Sequence, residues 1–312
     1  MPFALALLST EGLIAGFRHS ALQRLSAVRV LVALADQGVT CAWQSKGQWV
    51  WVDAEWPPGA CIKGRPQQSE AMADLIADLL LDAGLVGARI ELLLPLDLCE
   101  WRVLDGLGRS MNDGSLDRAI QRQMSWSFDP GNCYVSCSDC SGSTLAVAVS
   151  RVDLQAWIDL FEQADLSLDR VDWLLSAAFR GILHQSAGQD LDLAWMIDTA
   201  QTSRLLLIRN GVPELDRSFP NPESDQWVDV VGAIETWRLL QPPTAALLWH
   251  RTASSSQIPL SSALIEWADQ ALTPLDLCAD GLVPWSPSTA SSLLDPLISL
   301  GFVGLGLARR TS

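Results

Sequence analysis

The sequence predicts an α/β protein of two lobes, with a small α/β module inserted in the first. Three observations predict it. Apolar alternation of period two recurs along most of the chain, single amphipathic helices interrupt it, and a polar stretch of small residues at 185–189 breaks the pattern past the middle. Residues 1–187 are read as the N-terminal lobe, with the module at about 88–150. Residues 188–312 are read as the C-terminal lobe, whose final helix is free to return to the first lobe.

From residue 28 the runs VRVLVAL, VTCAW and WVWVDAEW read as a three-stranded meander, with Gly38 and Lys46-Gly47 as its turns. A proline- and glycine-rich crossing, WPPGACIKGRP, leads to a helix that Ser69 can cap and Gly84 stops. Met72, Leu75, Ile76, Leu79, Leu80 and Ala83 lie on one face of that helix. Strands follow in ARIELLLP and CEWRVLDG, then a helix begun by Ser115 with Ala119, Ile120 and Met124 on one face. Next come strands around CYVSC and STLAVAVS, and a helix carrying Leu154, Trp157, Ile158 and Phe161. A strand, LSLDRVDW, precedes a helix with Leu175, Ala178, Phe179, Ile182 and Leu183 on one face. The second lobe opens with DLAWMIDTAQTSRLLLIRNG, a strand ending in Asp198, a short polar turn and a second strand that closes on the hairpin signal Asn210-Gly211. A helix near 225–240, a strand in TAALLWH, a helix near 260–272 and a last helix near 289–300 complete the order.

Hydrophobic residues make up 49% of the 312 and charged residues 18%, the balance of a folded globular chain. With 36 acidic against 21 basic residues the net charge is −15, which repels phosphate backbones and anionic membrane surfaces, and no basic patch overrides it. Nucleic acid is therefore excluded as a partner. No apolar run approaches the ~18 residues that a spanning helix needs, so direct membrane insertion is not expected. The N-terminus lacks the basic region of a signal peptide, and the chain reads as cytoplasmic.

Seven cysteines without an export signal read as reduced thiols. Cys133, Cys137 and Cys140 cluster, but a closed zinc site wants four ligands and no matching pair lies elsewhere, so no metal is expected. His19, His184 and His250 are scattered outside any ligand or nucleophile motif, and the fourteen tryptophans read first as core filling.

Several passages resemble the PilM-like, actin-fold proteins of type IV pilus assembly, and the related cytoplasmic domain of GspL in type II secretion. WPPGACIKGRPQQSEAMADLIADLL is similar to that family's Pro-Pro-Gly, Gly, helix passage. ARIELLLPLDLCEWRVLDG followed by LDRAIQRQMSW resembles its strand-proline-strand passage and the helix after it. STLAVAVSRVDLQAWIDLFEQADLSLDRVDW resembles its helix with Ala-Gly-Leu and Val-Asp, with Asp165 where a glycine is usual. GLGLARR at 304–310 resembles its closing turn. The likeness runs from about Val28 to Arg310.

The resemblance implies an actin-like ATPase fold, in which two glycine-bearing hairpins wrap nucleotide phosphates and a Gly-Gly turn meets the adenosine. Asp198, with Thr199 beside it, matches the acidic residue of the second hairpin, but Ala200 replaces the glycine two residues on. For the first hairpin two registers compete, Asp36-Gln37-Gly38 and Ser9-Thr10-Glu11-Gly12. After TAALLWH comes His250-Arg251-Thr252-Ala253-Ser254, without glycine. The implied cofactor site at Asp198 and Thr199 is thus a degenerate phosphate turn, with no catalytic or metal-binding residue assigned, and ATP is left open as a ligand.

The resemblance further implies a scaffold peripheral to the inner membrane. It would bind the cytoplasmic tail of a PilN-like single-span partner and connect with the motor ATPase of a pilus or secretion platform. An exposed sheet edge or apolar groove of the N-terminal lobe is expected to take the tail, with the groove placed in the inserted module around ARIELLLPLDLCEW. The rival reading is an active nucleotide hydrolase or small-molecule kinase of the same fold, and the missing glycines favour the scaffold.

Overall fold

The computed structural model describes residues 28–46, 48–104, 120, 125–140, 142–185, 191–198, 202–220, 224–240, 246–251, 282–284 and 295–309. The first meander forms as β1 (Arg29–Leu34), β2 (Gly38–Ser45) and β3 (Gln48–Glu55), antiparallel in succession. A two-rung hairpin, β4 (Cys61–Ile62) and β5 (Arg65–Pro66), precedes α1 (Ser69–Asp82). Strand β6 (Arg89–Leu94) runs parallel to β1.

The inserted module consists of β7 (Cys99–Leu104), β8 (Cys133–Cys140) and β9 (Ser143–Ser150), antiparallel in the order β7-β9-β8. Helix α2 (Arg151–Gln163), strand β10 (Ser167–Trp173) and helix α3 (Leu174–Gln185) return the chain to the first sheet. The second sheet carries β11 (Leu193–Asp198), β12 (Thr202–Arg209) and β13 (Val212–Pro220), followed by α4 (Ser224–Leu239) and β14 (Ala246–Arg251), in the order β13-β12-β11-β14. A short strand β15 (Leu282–Pro284) and helix α5 (Pro296–Arg309) follow. The first sheet reads β10-β6-β1-β2-β3-β15, with β15 parallel to β3.

One apolar core joins these layers, because the central strands of the first sheet, β1, β2 and β6, are buried on both faces. Val30, Val32, Leu34, Ile90, Leu92 and Leu94 meet Met72, Ile76, Trp157 and Phe161 of the helices, and Trp195 and Ile197 of β11 belong to the same cluster. In the module, β9 alternates. Leu145, Val147 and Val149 face this core, while Ala146 and Ala148 face a smaller cluster with Ile120, Trp126 and Cys133. Ile120 is the one described residue of the helix expected from Ser115, and the helix expected near 260–272 lies outside the described residues.

Three expectations are corrected. Ser69 does not cap α1. The hairpin before it engages the amides of Gln67 and Gln68 on the Ala60 carbonyl, at 2.7 and 3.4 Å, so the cap position falls on Gln68 with no side-chain bond and Ser69 enters the first turn. The last helix is Pro296–Arg309, not 289–300. The Asp295 carboxylate accepts from the Leu297 amide at 2.7 Å and Pro296 supplies a preset first residue.

The glycines in α5 do not break it; two of them, Gly301 and Gly304, let it lie against α3. A Cβ on Gly301 would stand 2.6 Å from Leu174 Cδ1, and one on Gly304 would collide with the Ala177 carbonyl. Third, among the described residues no open apolar groove lies along ARIELLLPLDLCEW. Ile90, Leu92, Leu93, Leu94, Leu98, Cys99 and Trp101 are all buried in the core, where Trp101 packs edge-on to Trp173 at 5.3 Å.

Asp165 takes the left-handed conformation, φ 55°, at the end of α2, with its amide on Glu162 and the Leu166 amide on Phe161. That backbone favours glycine, and an aspartate tolerates it better than a branched residue does.

Candidate functional site at the interlobe cleft

Strands β1, β6 and β10 are parallel, so their carboxyl ends open on one edge, the edge where α/β sheets take ligands. Three turns crowd there. The β1–β2 turn is Asp36-Gln37, closed by the Ala35 amide on the Gly38 carbonyl at 2.9 Å. The tip of the β4–β5 hairpin is Lys63-Gly64, both left-handed at φ 51° and 73°. The β6–β7 turn is Pro95-Leu96-Asp97-Leu98, in which the Leu98 amide donates to Pro95 at 3.3 Å. From the second lobe, Arg204 of β12 reaches the same edge.

The Asp36 carboxylate is already engaged. It accepts from the Gly64 amide at 2.5 Å and the Lys63 amide at 3.2 Å, and the Cys61 thiol stands 3.7 Å away. Burial, then the Asp36 charge, pushes that thiol up to about 12, so it stays protonated and can donate to the carboxylate. Gly38 is also explained within the protein. A Cβ there would strike the Ala54 carbonyl of β3, whose carbon would be 3.2 Å away. The hairpin tip is wedged in place, for a Cβ on Gly64 would stand 3.0 Å from Pro95 Cβ, and Trp157 Nε1 donates to the Gly64 carbonyl at 2.8 Å.

Asp97 reaches solvent, yet its carboxyl is raised from the ordinary value. Surrounding protein is the largest cause. The Asp36 charge adds to it, while Arg204 and then Lys63 act against it. Beneath the edge, Asp172 is fully buried and paired with Arg180, which also donates to Ser176 Oγ at 3.2 Å; the Trp173 amide donates to Asp172 at 2.8 Å. That pair anchors α3 to the end of β10 and faces no solvent.

Arg204 is held in a fork by Asp216 of β13, Nε to Oδ1 at 2.7 Å and Nη2 to Oδ2 at 2.6 Å. Its Nη1 donates to the Leu96 carbonyl at 3.1 Å, and its Cζ lies 5.2 Å over the Trp173 ring. Asp198 ends β11, paired with Ser203 on one side and Arg251 on the other, while Thr199 and Ala200 lie outside the described residues. So does the register Ser9-Thr10-Glu11-Gly12, whereas Asp36-Gln37-Gly38 is the β1–β2 turn.

The structure does not bring the three module cysteines together. Cys133 and Cys137 face the smaller cluster, and Cys140 faces the main core with its Sγ 3.2 Å from the Gly211 carbonyl. Among the described residues no group of three or more histidine, cysteine or acidic side chains is placed to hold a metal ion, and no helix is long and apolar enough to cross a membrane. His184 is exposed on α3. Asn210-Gly211 forms the β12–β13 turn at φ 52° and 73°, with its amides on Asp192 Oδ1 and the Leu191 carbonyl at 2.9 and 2.8 Å.

Lys63, Asp97 and Arg204 escaped the sequence reading. The Lys-Gly dipeptide and the charge inside TSRLLLIR were the available signals.

Two lobes, each built on a meander sheet and meeting along strand ends, with a third small sheet inserted in the first, define the class: this is an actin-like ATPase fold. No protein-family model matches the sequence, and no curated protein matches it. Among solved structures the chain is similar to one from the PilM–PilN type IV pilus biogenesis complex, at 15% identity and a TM-score of 0.62, covering 91% of this chain and 98% of that one. It is also similar to the cytoplasmic domain of EpsL, an inner-membrane component of the type II secretion system of Vibrio cholerae. There the identity is 12% and the TM-score 0.49, over 92% and 96% of the two chains. A Bacteroides thetaiotaomicron protein with an actin-like ATPase fold matches at 9% identity and a TM-score of 0.43, over 91% and 99%.

Proposed function

We propose that this chain is a cytoplasmic scaffold of a type IV pilus or type II secretion-like inner-membrane platform. It binds the cytoplasmic tail of a PilN-like single-span protein and connects that partner with the motor ATPase. The observation that carries this reading is the extent of the likeness to the PilM–PilN chain, which takes in both lobes and the inserted module over 91% of this sequence.

The lobes divide at 187/188, and the phosphate turn at Asp198 and Thr199 is degenerate. Ala200 stands where a glycine would leave room for a ligand, and the Asp36 carboxylate is taken up by the amides of Lys63 and Gly64. Since the apolar side chains around β6 and β7 are in the core, the tail is captured by main-chain pairing at an edge of the three-stranded module.

The net charge of −15 opposes anionic headgroups, so the membrane location comes from the partner. A fluorescent fusion is expected at the inner membrane when the partner is present and diffuse when the partner's cytoplasmic tail is deleted. Membrane retention without the tail, or binding of the purified chain to anionic vesicles, would overturn the reading.

A further inference from the structure

The geometry points to Arg204 as a built-in latch that holds the two lobes closed without a bridging ligand. The inference rests on the reading of the phosphate turns as degenerate and deepens it. In a two-lobed fold of this kind a ligand in the cleft can tie one sheet edge to the other. Here a side chain does so.

The base of the latch belongs to the second lobe, where Asp216 fixes both the direction and the plane of the guanidinium through two parallel bonds, at 2.7 and 2.6 Å. Its reach belongs to the first lobe. Nη1 donates to the Leu96 carbonyl, and the guanidinium face lies on Trp173. Trp173 is itself locked, with Nε1 at 3.2 Å from both the Pro95 and Leu96 carbonyls. One turn, the β6–β7 turn, therefore receives the arginine and the ring it stacks on. Arg204 and Asp216 side chains are only 12% and 20% exposed, so the contact is largely shielded from water and salt.

A second tie crosses between lobes at the other end of β12, where Cys140 Sγ donates to the Gly211 carbonyl. Seven residues separate Arg204 from Gly211, roughly 20 Å along an extended strand. A thiol is a weak donor. Of these two polar ties the one at the cleft is the stronger, and between them Trp195, Ile197 and Leu206 share the apolar core of the first lobe, so losing the arginine frees the cleft edge while that core and the far tie act as the pivot.

The test uses the full chain, carrying a spin-label pair on non-canonical amino acids at the exposed positions Gln67 and Ser218, one in each lobe. Wild type without nucleotide is expected to give one narrow distance distribution. Arg204→Met keeps apolar bulk on Trp173 but loses both the fork and the bond to Leu96, and it is expected to broaden and lengthen the distribution. Asp216→Asn, which leaves the arginine in place but loosens its fork, is expected to do so less. Far-ultraviolet circular dichroism and a cooperative melt confirm that the variants are folded.

A wild-type distribution in folded Arg204→Met overturns the latch, whatever the protein does with nucleotide. Addition of ATP and magnesium separates the two ideas. Measurable binding with an unchanged distance, alongside opening in Arg204→Met, supports the latch and sinks the degenerate-site reading. Closure that appears only with nucleotide overturns both.

Discussion

Gly304 and Gly306 lie two residues apart on α5, and alanine at each is expected to act in opposite directions. A Cβ on Gly304 would fall inside contact distance of the Ala177 carbonyl oxygen, 2.7 Å from its carbon and 3.1 Å from the Gly181 nitrogen. These are backbone atoms of α3, so no side chain can turn aside. Comfortable contact between carbons is about 3.5–4.0 Å, so the helices must part by roughly 1 Å.

Helix α5 buries Leu297, Leu300, Phe302 and Leu305 at this crossing. Four such side chains contribute roughly 6–12 kcal/mol in all, and a gap of that size forfeits about a quarter to a half of the contact. Alanine's helix advantage of about 1 kcal/mol returns part, which leaves Gly304→Ala destabilised by about 0.5–5 kcal/mol, a span that brackets the usual cost of overpacking. A methyl on Gly306 would meet no heavy atom within 4 Å, so Gly306→Ala is expected to stabilise by about 0.5–1 kcal/mol. Urea midpoints at unchanged slope measure both. Shifts of the same sign, or a Gly304→Ala variant within about 0.5 kcal/mol of wild type, would refute the close-crossing argument.

Removing one partner of the buried pair strands the other. Asp172→Ala is expected to cost about 3–5 kcal/mol by urea unfolding, whereas Asp172→Leu with Arg180→Met recovers most of it. Of the six described cysteines only Cys137 is partly exposed, and burial pushes Cys41 up to about 12 and Cys99 well above its ordinary value. Iodoacetamide at pH 8 followed by peptide mapping should therefore label Cys137 before the other five described cysteines, with Cys41 and Cys99 protected until the protein unfolds. Asp97 has a raised carboxyl, so its folded form holds the proton more tightly than the unfolded chain does, and wild type loses stability as pH rises from the ordinary value of 3.8 through the folded one. Asp97→Asn is expected to be the more stable protein above that window and equal to wild type below it, in urea midpoints taken from pH 3.5 to 7. A variant less stable at pH 7 would contradict the assignment.

Period was what made most of the fold legible. The strands of the meander, the face of α1 and the β11–β12 hairpin each carry their pattern within a short local stretch, and the cores they predict are the ones observed. The likeness at Asp165 was equally local, and its left-handed backbone accounts for the glycine usual there. The errors share a cause, which is distance along the chain. The last helix reads as ending near 300 until α3 is laid against the glycines that follow. The run around Leu92 and Trp101 reads as a groove until the helices and Trp173 cover it. At the cleft, Asp36 finds its partners 27 and 28 residues away and Arg204 its carbonyl 108 residues away. No local motif announces either contact, and the apparent Asp-x-Gly signature of Asp36-Gln37-Gly38 resolves into a turn satisfied by the protein itself.

The first sheet is finished late. Strand β3 receives its outer neighbour from Leu282–Pro284, and α3 receives its cover from Pro296–Arg309, roughly 230 and 110 residues downstream. At about 5–20 residues per second on the ribosome, β3 waits roughly 10–45 s for its neighbour. Throughout that interval a growing chain shows an unpaired, tryptophan-rich strand edge at Trp49–Trp51, joined over its later half by an uncovered helix crossing at Ala177–Gly181. Synthesis itself thus sets a window in which this protein is open to chaperones and to its own neighbours on the polysome.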